Sequence, residues 1–318
     1  MNSFSKVRTA VIGVGNMGKN HARVYHDIST LCAISDSNQL LGKKIAKKFS
    51  TKYYADYKEM LDREKPDVVS VVVPTPYHKD VVQQCLVRHI PTLVEKPIAL
   101  TVSEAEHMLR TALDQKMYLL VGHTERFNPA VVQLKSYIEH NKIGRLISLL
   151  AIRVGISPPL IPHANVLVDL GIHDVDVFNY LLEEFPTQQY ASKQKIFEHT
   201  DADSCSLHLT YPSCNGVIIT NWVTPIKIRR LYATGTDGFI ELDYINQKLT
   251  FYSKIVHTVS DGNFFEFISL LKSPKKELFI SKKEPLKEEI CYFLTHRNDV
   301  PDVKMLQSSI EALKIVTT

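Results

Sequence analysis

From Val7 to Val121 short β-branched runs alternate with stretches of helical periodicity. Val7–Ile12, Leu31–Ser35, Val68–Val73, Thr92–Val94 and Tyr118–Val121 predict strands. Asn16–His26, Gln39–Phe49, Tyr77–His89 and Ser103–Gln115 predict amphipathic helices between them. Val68–Val73 is apolar except at Ser70, as a central parallel strand covered on both faces should be. Ser103 followed by Glu106 has the form of a capping box. Strands alternating with helices predict a doubly wound parallel sheet over residues 1–123.

The rhythm changes after Gly122. Asn128-Pro129 opens a helix to about His140, Leu146–Val154 reads as a strand, and Val166–Leu182 as a second helix. Ser204–Tyr211, Gly216–Val223, Ile228–Thr234, Phe239–Asp243 and Lys248–Tyr252 follow as closely spaced strands, separated by turn signals such as Gly235-Thr236-Asp237-Gly238. Strands in series predict a mostly antiparallel open sheet with helices on one face. Glu284–Thr295 and Asp302–Val316 close the chain as helices, so residues 124–318 read as an α+β domain. The fold class is therefore α/β followed by α+β. An open sheet needs its outer face covered, which predicts a homo-oligomer, dimer or tetramer.

Composition adds little but excludes much. A 44% apolar share with 23% charged residues is that of a soluble globular protein. The net charge of +4 rests on scattered lysines, which gives no reason for a nucleic-acid partner. The local cluster Lys43-Lys44 with Lys47-Lys48 has the spacing of a solvated helix face. Cys32, Cys85, Cys205, Cys214 and Cys291 form no C-x-x-C pair and point to a reducing compartment. No apolar leader opens the sequence, and no run approaches the roughly 20 apolar residues of a membrane span. These features predict a cytoplasmic protein with no membrane partner.

The chemistry begins at Gly13-Val14-Gly15-Asn16-Met17-Gly18, which follows the first strand and opens a helix. Gly13 permits the tight turn, Gly15 lets backbone approach a pyrophosphate, and Gly18 allows close helix–strand packing. This is the dinucleotide fingerprint of a Rossmann domain. Asp36 ends the second strand, where an acid takes the ribose hydroxyls and repels a 2′-phosphate, so the cofactor predicted is NAD. Pro74-Thr75-Pro76-Tyr77-His78 and Glu95-Lys96-Pro97 both lie at carboxyl ends of parallel strands, the ligand side of such sheets. Proline biases Lys96 toward extended backbone and keeps it out of the next helix. In Asp169-Leu170-Gly171-Ile172-His173, acid and imidazole share one helical face, the arrangement of an oriented general base. His163, Asp169, His173, Asp174 and Asp176 are also potential metal ligands. With no H-E-x-x-H or cysteine among them, and a lysine to steady an alkoxide, no metal is predicted.

Together these motifs resemble the glucose–fructose oxidoreductase, inositol dehydrogenase and rhizopine catabolism family (Gfo/Idh/MocA), over essentially the whole chain. The resemblance implies that Lys96, Asp169 and His173 form the catalytic set. It further implies that Gly13, Gly15, Asn16, Met17, Gly18, Asp36, Thr75, Pro76, His78, Glu95, Lys96 and Asn128 meet the cofactor. Gly122–Pro129 and Arg153-Val154-Gly155 with Pro158-Pro159 resemble dehydrogenases of UDP-N-acetylhexosamines, which oxidise the sugar 3-hydroxyl. Lys227, Arg229 and Arg230 lie in one strand, and residues 227 and 229 share a face that can neutralise a diphosphate. A basic edge on a solvent-facing sheet has the same pattern. Lys227, Arg229, Arg230 and Arg153 are thus the candidate substrate residues. The expected activity is NAD-dependent oxidation of a sugar or nucleotide-sugar hydroxyl. A polyol dehydrogenase of the inositol type and a non-catalytic dinucleotide sensor are the alternatives.

Overall fold

The computed structural model describes residues 4–156, 164–253 and 274–317; Pro158, Pro159 and His163 lie outside the described residues. The chain packs as two units, Met1–Thr124 with Glu284–Thr318, and Glu125–Lys283.

In the first unit six parallel strands, β1 (Phe4–Ile12), β2 (Ser29–Ser35), β3 (Lys52–Tyr54), β4 (Val68–Val71), β5 (Thr92–Glu95) and β6 (Leu119–Gly122), lie in the order β3-β2-β1-β4-β5-β6. The sheet predicted from the sequence is present, with one strand more. Edge strand β3 is only Lys-Tyr-Tyr, too short to carry a periodicity. Helix α1 (Gly18–Ile28), α2 (Gln39–Lys48), α3 (Tyr57–Glu64), α4 (His78–Leu86) and α5 (Val102–Gln115) connect the strands. Helix α5 starts earlier than the sequence suggested. Thr101 accepts from Glu104 N, and the Glu104 carboxylate accepts from Thr101 N, so the capping box is Thr101/Glu104 rather than Ser103/Glu106.

Alternate strand residues serve opposite faces. Ile12, Val69, Val71, Val94 and Val121 pack with Met108 of α5, while Val11, Ile34, Val68, Leu93 and Leu120 pack with Tyr25 of α1 and Ile45 of α2. Each layer is completed from the far end of the chain. The first contains Leu306, Ile310 and Leu313, and the second contains Leu286, Ile290 and Phe293. The sequence reading ran the second domain on to residue 318. The structure corrects this: the closing helices (285–296 and 303–317) bury their apolar stripes in the first unit. Burial of one such side chain is worth about 1.5–3 kcal/mol.

The second unit opens with α6 (Pro129–Glu139), β7 (Leu146–Val154) and β8 (Ala164–Asn165), and continues through α7 (Ile172–Leu182). Then come β9 (Gln188–Gln194), β10 (Thr200–Ala202), β11 (Ser204–Thr210), β12 (Asn215–Asn221), β13 (Ile228–Gly235), β14 (Gly238–Asp243), β15 (Lys248–Ser253) and β16 (Lys275–Leu278). The eight-stranded sheet has the order β16-β15-β14-β13-β7-β12-β11-β9, and only its β7–β12 pairing is parallel. Strands β12 and β13, successive in sequence, are kept apart by β7, which pairs with both. Edge strands β9 and β16 are polar along their length and so gave no hydrophobic signal. Leu149, Ala151, Ile218, Leu231, Ala233 and Ile240 line the buried face, against which α6 and α7 pack.

Candidate active site

The order of the first sheet reverses between β1 and β4, and such sheets bind ligands beyond their strand ends at that point. The glycine loop leaves β1 there. Gly13 has φ +87°, and a Cβ on it would stand 2.6 Å from the Val72 carbonyl oxygen. A Cβ on Gly18 would stand 1.9 Å from the Gly13 oxygen, so only glycine lets α1 start this close. Gly15 differs: a Cβ there would meet nothing within 4 Å. The loop therefore has a built inner side and an open outer side, where Gly15, Asn16 and Met17 are exposed. The leading N–H groups of a helix favour an anion at such a start. Asp36, half-buried at the end of β2, accepts from Val14 N at 2.8 Å and from Asn38 N at 2.8 Å. An open glycine edge, a helix start and an anchored acid fit a dinucleotide.

Thr75–Tyr77 forms a short 3₁₀ turn beyond β4, with Thr75 half-buried and Pro76 exposed. His78, which the sequence reading assigned to the cofactor, has another task. It is 1% exposed, with Nε2 2.8 Å from Val73 O and Nδ1 3.0 Å from Pro97 O. Burial draws its imidazole below the ordinary histidine value, against the pull of these carbonyls. A neutral ring donates to one of these two carbonyls and fills the space between the segment after Lys96 and the turn after β4. Lys96 itself is half-buried at the carboxyl end of β5.

Glu95 is buried beside it, and its Oε1 lies 2.9 Å from His21 Nε2. His21 Nδ1 lies 3.1 Å from Ser70 Oγ, which is 2.8 Å from Tyr25 OH. Sequence reasoning missed this network. The available signal was that His21, three residues after Gly18, falls on the sheet-facing side of α1. Burial pushes the Glu95 carboxyl up, but its hydrogen bond to His21 and the charges of His21 and Lys96 outweigh this and hold it below the ordinary carboxylate value.

Asp169 and His173 belong to the second unit. Asp169 is exposed in a π-helical turn (167–171) that runs directly into α7, and His173 is half-buried in the first turn of α7. Single π turns inside helices are frequent at functional sites. The neighbouring aspartates are committed elsewhere. Asp174 holds Arg153 by Nε at 2.6 Å and Nη2 at 3.0 Å, and Asp176 holds Arg126 in a second two-pronged pair. Arg153 also donates to Glu125 Oε1 at 3.1 Å. Among the described residues no group of three His, Cys, Asp or Glu is placed to hold a metal ion.

The candidate substrate residues separate. Arg153 is 4% exposed and held by Asp174 and Glu125 through Nε and both Nη atoms, the arrangement of an internal brace. Burial would lower its pKa, but the two carboxylates raise it above the usual guanidinium value. Arg229 lies in register with Arg153 and shares the Leu231 and Ala233 face of β13. Burial, then the Arg153 charge, lowers its pKa, against the charges of Asp174, Glu125 and Asp169. Arg230 points to the other face and pairs with Glu241, so Arg229 and Arg230 do not act together. Lys227 is exposed before β13. Asn128 is buried, capping α6 through Ala130 N and donating to Tyr244 O at 3.1 Å, and these bonds occupy the side chain expected at the cofactor.

Residues 7–123 match the model of an oxidoreductase family with an NAD-binding Rossmann fold, and residues 131–241 match the GFO/IDH/MocA C-terminal domain. The chain is 26% identical to UDP-N-acetylglucosamine 3-dehydrogenase of Acidithiobacillus ferrooxidans, over 80% of this chain and 79% of that one. It is also 26% identical to myo-inositol 2-dehydrogenase of Thermotoga maritima, over 76% of each. The solved structure of the Acidithiobacillus ferrooxidans UDP-N-acetylglucosamine 3-dehydrogenase is similar with a TM-score of 0.84 at 25% identity, covering 98% of this chain and 97% of that one.

Proposed function

The chain belongs to the Gfo/Idh/MocA family of NAD-binding oxidoreductases, and on that premise we propose that it oxidises a secondary hydroxyl of a UDP-N-acetylhexosamine, at the sugar 3-position. The observation that carries the reading is Lys96, half-buried at a ligand-side strand end in the same sheet as the glycine loop. Its ammonium donates to the substrate oxygen as negative charge develops there, a contribution of about 3–4 kcal/mol for one well-placed donor. His173 takes the hydroxyl proton on an imidazole nitrogen, and Asp169 orients the base. NAD, when bound, supplies the hydride acceptor. Asp36 favours NAD over NADP, because its carboxylate repels a 2′-phosphate.

The nucleotide-sugar substrate is supported by the likeness to UDP-N-acetylglucosamine 3-dehydrogenase and by Arg229, a half-buried cation on the helix-bearing face of the second sheet. Such a cation suits a diphosphate. The likeness to myo-inositol 2-dehydrogenase favours a second reading, a free polyol substrate. The outer face of that sheet carries Leu150, Ile152, Ile219, Tyr232 and Phe239, an apolar surface suited to a second copy of the chain. The free cysteines suit a reducing, cytoplasmic setting. No described helix is long and apolar enough to cross a membrane. The deciding assay follows NADH at its near-ultraviolet absorbance with UDP-N-acetylglucosamine, free N-acetylglucosamine and myo-inositol, using a ketone trap. Turnover of the UDP-sugar with far poorer free sugars supports the proposal. Turnover of inositol with failure of every UDP-sugar replaces it with the polyol reading.

A further inference from the structure

We propose that His21 and Glu95 are positioning residues for Lys96, an inference that rests on the reading of Lys96 as the group facing the reacting oxygen. Glu95 lies at the end of β5, and its two carboxylate oxygens face different ways. Oε1 takes His21 Nε2 at 2.9 Å, while Oε2 takes the backbone N–H of Lys96 at 3.2 Å. With a proton on Nε2, His21 donates to Glu95 whether or not Nδ1 carries one as well. The bonds run from Tyr25 OH through Ser70 Oγ and the His21 ring to Glu95, which also accepts from Lys96 N–H.

The line of bonds thus begins on α1, crosses β4 at Ser70, and ends at the backbone of Lys96 on β5. Its imidazole is fully buried and the carboxyl nearly so. A charge taken this far out of water is tolerated only with partners of good geometry, so the carboxylate has little freedom to turn. From the other side the buried ring of His78 packs against the Pro97 carbonyl, its Nδ1 3.0 Å from the oxygen. Lys96 is therefore carried on a backbone fixed before and after it, and its long flexible side chain is aimed by that backbone. The helix that begins at the glycine loop also supplies the histidine that fixes the lysine. This couples cofactor loop and reacting group through one rigid element.

Two variants separate this role from simple filling of the core. A glutamine at position 21 places its amide donor near the site of Nε2 and keeps the bond to Glu95. An asparagine reaches only the site of Nδ1, keeps the bond to Ser70 and loses Glu95. His21→Asn should lower kcat about tenfold or more with little change in the KM for NAD, while His21→Gln retains most of the turnover. Hydrogen exchange of the peptide spanning residues 93–98 reads the Lys96 amide without any turnover, and should quicken in His21→Asn but not in His21→Gln.

Equal loss in both variants, or exchange unchanged in both, overturns the positioning role. Lys96→Ala is measured beside them. Quickened exchange in His21→Asn with normal turnover of Lys96→Ala upholds the anchoring of the Lys96 backbone and removes the catalytic reading. Unchanged exchange with an inactive Lys96→Ala does the reverse.

Discussion

The three glycines of the first loop make different demands, and substituting alanine at each should separate folding from binding. At Gly13 an added Cβ meets Val72 O at 2.6 Å on a backbone with φ +87°. The left-handed conformation costs an L-residue about 1–2 kcal/mol, and the overlap with backbone about 1–3 kcal/mol more. At Gly18 the Cβ falls 1.9 Å from Gly13 O, so the start of α1 must move away from the loop. Both variants should lose several kcal/mol, and every kcal/mol lowers the melting temperature by about 2–4 °C in a unit of this size. At Gly15 the Cβ meets nothing within 4 Å and φ lies outside the left-handed region. Gly15→Ala should therefore melt like the wild type, or slightly higher, since alanine restricts the unfolded chain. It places a methyl group on the open edge of the loop, however, and should weaken NADH binding about tenfold, or ~1.4 kcal/mol. Differential scanning fluorimetry gives the melting temperatures and NADH fluorescence titration gives the affinities. Wild-type affinity in Gly15→Ala, or a wild-type melting temperature in Gly18→Ala, refutes the division.

Asp36→Ala should narrow the preference for NAD over NADP, by removing a ribose acceptor and the repulsion of a 2′-phosphate; equal affinity of the wild type for both cofactors contradicts the reading. Lys96→Ala and His173→Ala should each lower kcat about a hundredfold. NADH titration should show binding retained in His173→Ala, and near-normal turnover in either variant removes that residue from the mechanism. Arg153→Ala leaves the fully buried Asp174 without its two-pronged partner, which should cost about 3–5 kcal/mol in denaturant unfolding. Arg153→Lys should recover little of it, because an ammonium cannot reproduce the fork.

The parallel sheet was legible because its strands are buried on both faces and so read as apolar runs: Val68–Val73 could be little else. The Gly13–Gly18 loop was legible because each glycine answers a separate steric demand. Strands β9 and β16 were not, because an edge strand is polar for reasons unrelated to the core. The insertion of β7 between β12 and β13 also left no local trace, since it joins strands about 60–90 residues apart in the chain through backbone pairing alone. Motif order could place Asp174, Asp176, Arg126 and Arg153 in the chain but could not pair them. Ion pairing over such separations depends on the fold. His21 fell between the two cases: its helical phase toward the sheet was visible, while Glu95 as its partner was not.

The closing helices have a consequence for the order of synthesis. The ribosome makes the glycine loop before the second unit, yet both layers over its sheet stay incomplete until residues 285–317 emerge, after the whole of that unit. At 5–20 residues per second the intervening segment takes about 10–30 s. During that interval Ile12 and Val11 belong to a nascent sheet with uncovered apolar strips on both sides, a surface that chaperones recognise. The second unit, continuous in sequence, is free to fold first. The cofactor-binding unit, although begun before the second, is the last to close.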